Sequence, residues 1–69
     1  MKNRPIEHLH LKGAVYNALK RAGINDTDTL LDLRDNELLS VPDIGIKRFG
    51  YIVDVLKEIV EQEAHGEIS

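Results

Sequence analysis

This sequence has no cysteine and no tryptophan, and its aromatic content is one phenylalanine and two tyrosines in 69 residues. Without thiols there is neither a disulfide nor a thiolate metal site, so stability must come from helix packing, in the few-kcal/mol range usual for so small a scaffold. A polypeptide of this length has interior for one core, and a single domain over residues 1–69 is expected. Long apolar runs are missing too. Nothing approaches the roughly 20 residues that span a bilayer, and the start Met1-Lys2-Asn3-Arg4-Pro5 leads into no signal-peptide core. These absences predict a soluble protein of the reducing cytoplasm, with no membrane partner.

An excess of positive charge is also lacking. The net charge of −3 argues against a protein that coats nucleic acid, because neutralising phosphates with counterion release requires many clustered lysines and arginines. The distribution is uneven, however. Lys2, Arg4, Lys12, Lys20 and Arg21 lie at the front and Lys47-Arg48 later, while Asp26, Asp28, Asp32, Asp35, Glu37 and Asp43 fill the middle. This allows a local basic face on an acidic body.

Catalytic machinery is equally sparse. The imidazoles are His8, His10 and His65, and the i, i+2 pair at His8 and His10 has no third ligand at sensible spacing, so a solvated pair is expected. No NTPase-type glycine loop, nucleophile elbow or helix with two metal-binding histidines is present. Asp26, Asp28, Asp32 and Asp35 lack the glycine and terminal glutamate of an EF-hand loop and suit helix N-termini instead. The sequence reads as a non-enzyme with no catalytic residue, metal or cofactor.

What the sequence does contain is helical spacing. After Pro5, the apolar Ile6, Leu9 and Leu11 anchor an arm that lies across the bundle. Val15, Leu19 and Ala22 recur at three-to-four spacing from about Lys12 to Ala22, and Gly23 is the expected left-handed residue ending that helix, with Ile24 packing back. Thr27 can cap a short helix carrying Leu30, Leu31 and Leu33, and Asp35 another carrying Leu38 and Leu39, which Pro42 stops at Ser40 or Val41. Such short helices stand only against neighbours. A long helix then runs from Ile46 to about Gln62 with Phe49, Ile52, Val53, Leu56, Ile59 and Val60 facing the core; Gly50 is tolerated within it. The prediction is all-α: a compact bundle of four to five short helices with an N-terminal arm, its core about residues 4–62 and residues 63–69 a frayed tail.

Val41-Pro42-Asp43-Ile44-Gly45, followed by Lys47, Phe49 and Ile52, resembles the helix-hairpin-helix signature. In such hairpins glycine lets the backbone approach phosphate, and the amides and the next helix's N-terminus point at the anion. Ile44 and Gly45 would supply backbone donors, and Lys47 and Arg48 charge-assisted contacts. Asp43 stands where the signature more usually has glycine. The same segment also reads as a plain turn in which Pro42 stops a helix, Gly45 supplies an unusual φ, and Lys47 and Arg48 are solvated.

Tyr16-Asn17-Ala18-Leu19-Lys20-Arg21-Ala22-Gly23-Ile24-Asn25 resembles the first-helix motif of the C-terminal domain of the bacterial RNA polymerase α subunit, commonly written YNxLKRAGI. Pro5-Ile6-Glu7-His8-Leu9-His10-Leu11 is similar to that family's entry segment. Leu30-Leu31-Asp32-Leu33, Glu37-Leu38-Leu39 and Ile44-Gly45-Ile46-Lys47 follow in register without gaps, so the likeness covers about Arg4 to Gln62.

The resemblance implies a transcription-related DNA-binding domain that meets A/T-rich duplex through the minor groove, using the first helix and the hairpin. It also implies contacts with transcription factors or RNA polymerase components and a cytoplasmic, nucleoid-associated location. Asn17, Gly45 and Lys47 match family DNA-contact positions, and Ile44, Arg48, Lys12 and Lys20 complete the candidate nucleic-acid surface. The family arginine that enters the minor groove is Ala14 here, which removes charge where the groove potential is most negative. Ile46 replaces a basic residue, Arg48 a serine and Tyr51 a glutamate. The alternative is a protein-interaction module on the same fold, with Tyr16, Ile46 and Tyr51 as an apolar patch for a transcription partner or a second copy in a homodimer. Taken singly, each tyrosine also reads as packing at the edge of the core. The change at Ala14 favours a divergent, separate protein over an excised domain.

Overall fold

The structure, a computed structural model, describes residues 2–68, with side chains as far as Ala64. It is all-α. A 3₁₀ turn, Ile6–Leu9, is followed by α1 (Gly13–Arg21), α2 (Thr27–Asp32), α3 (Asp35–Leu39) and α4 (Ile46–Ile68). Ile6, Leu19 and Ile52, each 0% exposed, bring the arm, α1 and α4 to one centre, and Val15, Ala18, Ile24, Leu30, Leu38 and Ile44 close around it. Burying each large aliphatic side chain contributes about 1.5–3 kcal/mol, so short α2 and α3 persist because Leu30 and Leu38 dip into this centre.

The arm docks as expected, and backbone bonds fasten it. The Ile6 amide donates to the Asn25 carbonyl at 3.0 Å and the Thr27 amide to the Arg4 carbonyl at 2.8 Å, pairing the two segments antiparallel for one step. Thr27 completes the joint: its buried hydroxyl accepts from the Arg4 amide at 2.9 Å and donates to Asn3 Oδ1 at 3.2 Å. Thr27 therefore does not cap α2. Asp26 does, its carboxylate accepting from the Thr29 amide at 2.9 Å, and Thr29, through its side chain first and its amide second, holds the carboxyl below the usual aspartate range.

Likewise Arg34, not Asp35, occupies the position before α3, and its amide donates to Glu37 Oε1 at 3.1 Å. A guanidinium has donors and no acceptor, so only the glutamate half of a capping box forms. Helix α1 ends as its glycine predicts. Gly23 has φ +80°, its amide reaches the Lys20 carbonyl, and the Ile24 amide reaches the Leu19 carbonyl at 2.9 Å, the Schellman pattern.

Helix α4 departs from expectation at its far end. Its 23 residues span about 34 Å, against molecular extents of 40 × 21 × 20 Å, so it overruns the body it braces. The backbone stays helical to Ile68, beyond the Gln62 boundary; Ser69 and the side chains of 65–69 lie outside the described residues, with the fraying expected there. Arg4 ties the arm to this helix through Glu63 Oε1 at 2.7 Å. The apolar stripe of α4 is not all core: Val60, like Leu31 of α2, is 49% exposed beside an open groove of about 530 Å³ between α2, α3 and α4. A Cβ at Gly50 would meet nothing within 4 Å, so that glycine is tolerated rather than required.

Candidate nucleic-acid interface

Between α3 and α4 the backbone turns through Ser40, Val41, Pro42 and Asp43. The left-handed residue of this hairpin is Asp43, at φ +71°, and not Gly45, whose φ is not positive. Short polar side chains tolerate this region best after glycine, which explains how aspartate stands where the signature prefers glycine. Ile44 is a core residue, 4% exposed, with its amide donating to the Val41 carbonyl at 3.0 Å. It anchors the bend and has no donor left for a ligand, a correction to its place among the contact residues.

Gly45 precedes α4 and its carbonyl accepts the Phe49 amide at 2.8 Å, the first bond of the helix. The amides of Ile46, Lys47 and Arg48 therefore have no intrahelical acceptor and point out of the N-terminal end, where the helix dipole favours an anion. Gly45, Ile46, Lys47 and Arg48 are all exposed, and a Cβ added at Gly45 would meet nothing within 4 Å. The bend is open to solvent on its amide side.

The two cations behave differently. Arg48 folds back so that Nη1 donates to the Asp43 carbonyl at 2.7 Å, which leaves its other guanidinium donors at the hairpin surface. Lys47 has no ion-pair partner among the described residues. The Asp43 carboxylate faces α1 instead, with Arg21 Nη1 3.6 Å from its Oδ2. That approach was not foreseen from the sequence, since the two residues lie far apart along the backbone.

Tyr51 joins the two halves of the surface. Its hydroxyl accepts from the Lys12 amide at 3.0 Å, and Lys12 Nζ lies 5.2 Å from its ring centre. Lys47 and Tyr51 are four residues apart on one face of α4, so this contact brings the start of α1 beside the start of α4. Lys12, Ala14 and Asn17 are exposed there. Tyr51 is thus half-buried and engaged within the molecule, at the edge of the core.

Tyr16 and Lys20 turn elsewhere. The Tyr16 hydroxyl donates to Glu7 Oε2 at 2.6 Å, Lys20 Nζ lies 3.4 Å from the same oxygen, and the lysine sits 5.9 Å from the Tyr16 ring centre. The hydroxyl holds the Glu7 carboxyl below its ordinary range, and the carboxylate raises the tyrosine in return. Lys20 is neutralised on the arm side, away from the hairpin. Of the apolar trio Tyr16, Ile46 and Tyr51, only Ile46, at 82% exposed, is presented outward.

No helix among the described residues is long and apolar enough to cross a membrane. Residues 1–58 match the family model for the C-terminal domain of the bacterial RNA polymerase alpha subunit. The protein is 38% identical over 63 residues to the DNA-directed RNA polymerase subunit alpha of Desulforudis audaxviator, a match that takes in 91% of this sequence and 20% of that protein. It is 37% identical to the same subunit of Synechocystis and 39% to that of Cyanophora paradoxa, each over 54 residues, 78% of this sequence and 17% of the relative. The match thus spans about a fifth of the length of these relatives. No solved structure matches it. Its helices, its hairpin and these likenesses agree: the protein belongs to the family of C-terminal domains of the bacterial RNA polymerase α subunit, with a transcription-related role.

Proposed function

We propose that this domain docks weakly on duplex DNA, gripping the sugar-phosphate backbone along the minor groove of A/T-rich sequence, and that it acts by binding rather than catalysis. The observation that carries this reading is the open row of donors at Gly45, Ile46, Lys47 and Arg48 beside two exposed cations. Backbone amides and flexible cations suit phosphate and carry no sequence information, so the contact positions the protein without specifying a site. Asn17 and Lys12 extend the surface along the start of α1. With Ala14 in place of the family arginine, few phosphates are engaged, and affinity falls steeply with salt. Such a role sits with the transcription machinery in the nucleoid of the cytoplasm.

Titrating the labelled domain with an A/T-rich duplex at two salt concentrations tests this. Amide signals from Gly45 to Arg48 shift at low salt and return toward their free positions at high salt; signals that stay put at low salt would sink the reading.

A second reading has its own observation. Ile46, the most exposed of the large apolar residues described, stands at the tip of α4 where the family carries a basic side chain. An apolar group of that kind, framed by polar neighbours, suits a protein partner: a polymerase component, a transcription factor or a second copy of this domain. Replacing Ile46 with lysine separates the two. Under the DNA reading the duplex binds more tightly, whereas under the protein reading a concentration-dependent mass in sedimentation, or capture by polymerase, is lost.

A further inference from the structure

We infer that Arg21 is a further cation of the DNA face, and that Asp43 holds it at the hairpin in the free protein. This rests on the docking proposed above and names a residue that neither the sequence motif nor the family resemblance assigned to the contact. Ala14, Asn17 and Arg21 are spaced i, i+3 and i+7 on α1, which lines them along one stripe of the helix, and all three are exposed. Seven residues at the helical rise carry the charge about 10 Å from Ala14 toward the other end of that stripe.

What lies at that end is the hairpin. Arg21 Nη1 is 3.6 Å from Asp43 Oδ2, and Arg48 Nη1 is 2.7 Å from the Asp43 carbonyl oxygen, so a single residue collects two guanidinium groups at the edge of the amide row. Arg21 keeps a side-chain exposure of 75% and Asp43 of 61%, so the pair is open to water and gains little for the fold. A phosphate oxygen arriving at the Gly45 to Arg48 amides displaces the carboxylate as Arg21's partner. Arginine suits this exchange because its fork can hold a phosphate through two donors at once.

Lys20 supplies the internal contrast. It is the adjacent residue with the same formal charge, but its ammonium lies 3.4 Å from Glu7 on the arm side of α1. Proximity in sequence predicts that both cations contribute; the geometry assigns the contact to Arg21 alone.

The test is the salt dependence of duplex affinity for the parent and four variants, with helicity and thermal midpoint measured first to verify folding. Arg21→Ala lowers the magnitude of the log-log slope by about 0.9, the loss of one phosphate neutralised. Lys20→Ala leaves the slope of the parent, and Asp43→Asn, which frees the guanidinium, binds more tightly than the parent. Lys47→Ala serves as the control for the underlying reading. If Lys47→Ala lowers the slope while Arg21→Ala does not, or if Lys20→Ala costs as much as Arg21→Ala, the assignment of Arg21 is wrong and the hairpin reading survives. If neither the parent nor Asp43→Asn binds duplex at low salt, both fall together.

Discussion

The arm joint at Thr27 and the hairpin at Gly45 are both places where polar backbone enters a helix, and they treat it in opposite ways. At the joint every donor finds an acceptor: the Arg4 amide, the Thr27 amide and the Thr27 hydroxyl are all paired, and the threonine is 0% exposed. At the hairpin the amides of Ile46, Lys47 and Arg48 open to solvent with no partner in the fold. A buried polar group left unpaired costs about 1–3 kcal/mol, whereas an exposed one is satisfied by water. The joint therefore serves stability, and the hairpin is free to serve a ligand. No buried side-chain donor or acceptor among the described residues lacks a partner.

Removing the Thr27 hydroxyl is the strongest way to break the contrast. Thr27→Val keeps the shape but strands the Arg4 amide, and we expect a loss of about 1–3 kcal/mol, read as a lower urea midpoint. Duplex affinity of the folded fraction stays at the parent value; a joint variant that bound DNA less well while fully folded would contradict the division of labour. Working from the other region, Ala14→Arg restores a cation on the exposed stripe of α1 and is expected to tighten binding to A/T-rich duplex about tenfold, in line with a charged hydrogen bond of about 1.5 kcal/mol. Calorimetry checks both affinity and stoichiometry, and an unchanged affinity would mean that DNA approaches from elsewhere.

Asp43→Gly sharpens the comparison further. Glycine removes a left-handed strain of up to about 1 kcal/mol, but adds a similar amount of unfolded-state entropy and deletes a weak surface ion pair, so stability changes by less than about 0.5 kcal/mol. Duplex affinity, however, rises because a carboxylate leaves the docking face. The smallest effect is in acid. Asp26 has its folded carboxyl below the ordinary range, chiefly through Thr29, so its contribution is complete above the unfolded value and is lost as pH falls below about 4 toward the folded one. Asp26→Asn, which still caps α2, should flatten the thermal midpoint against pH over that window while sparing it at neutral pH.

Much of the fold was legible because helix periodicity and glycine punctuation are local signals. Gly23 ended α1 and Pro42 followed α3 as their chemistry requires. What escaped were choices between neighbours. Asp26 and Thr27 both offer an oxygen ahead of an apolar run, and only the docked arm decides that threonine turns inward while aspartate caps. Asp43 and Gly45 both tolerate unusual φ, and the position of buried Ile44 between them gives the left-handed bend to the aspartate. At the site, the exposed row Gly45 to Arg48 was readable from the motif, since a hairpin glycine before a basic first turn is a local pattern. The fates of Lys20, Arg21 and Tyr51 were not, because each is settled by a partner distant in sequence: Glu7, Asp43 and Lys12.

The bond between the Tyr51 hydroxyl and the Lys12 amide joins positions 39 apart in the sequence. Solvent deuterium reaches that amide only when the tyrosine lifts away, so its protection from exchange measures the free energy of parting the two halves of the candidate surface. One resonance thereby reports the fraction of molecules in which the presented face is dismantled.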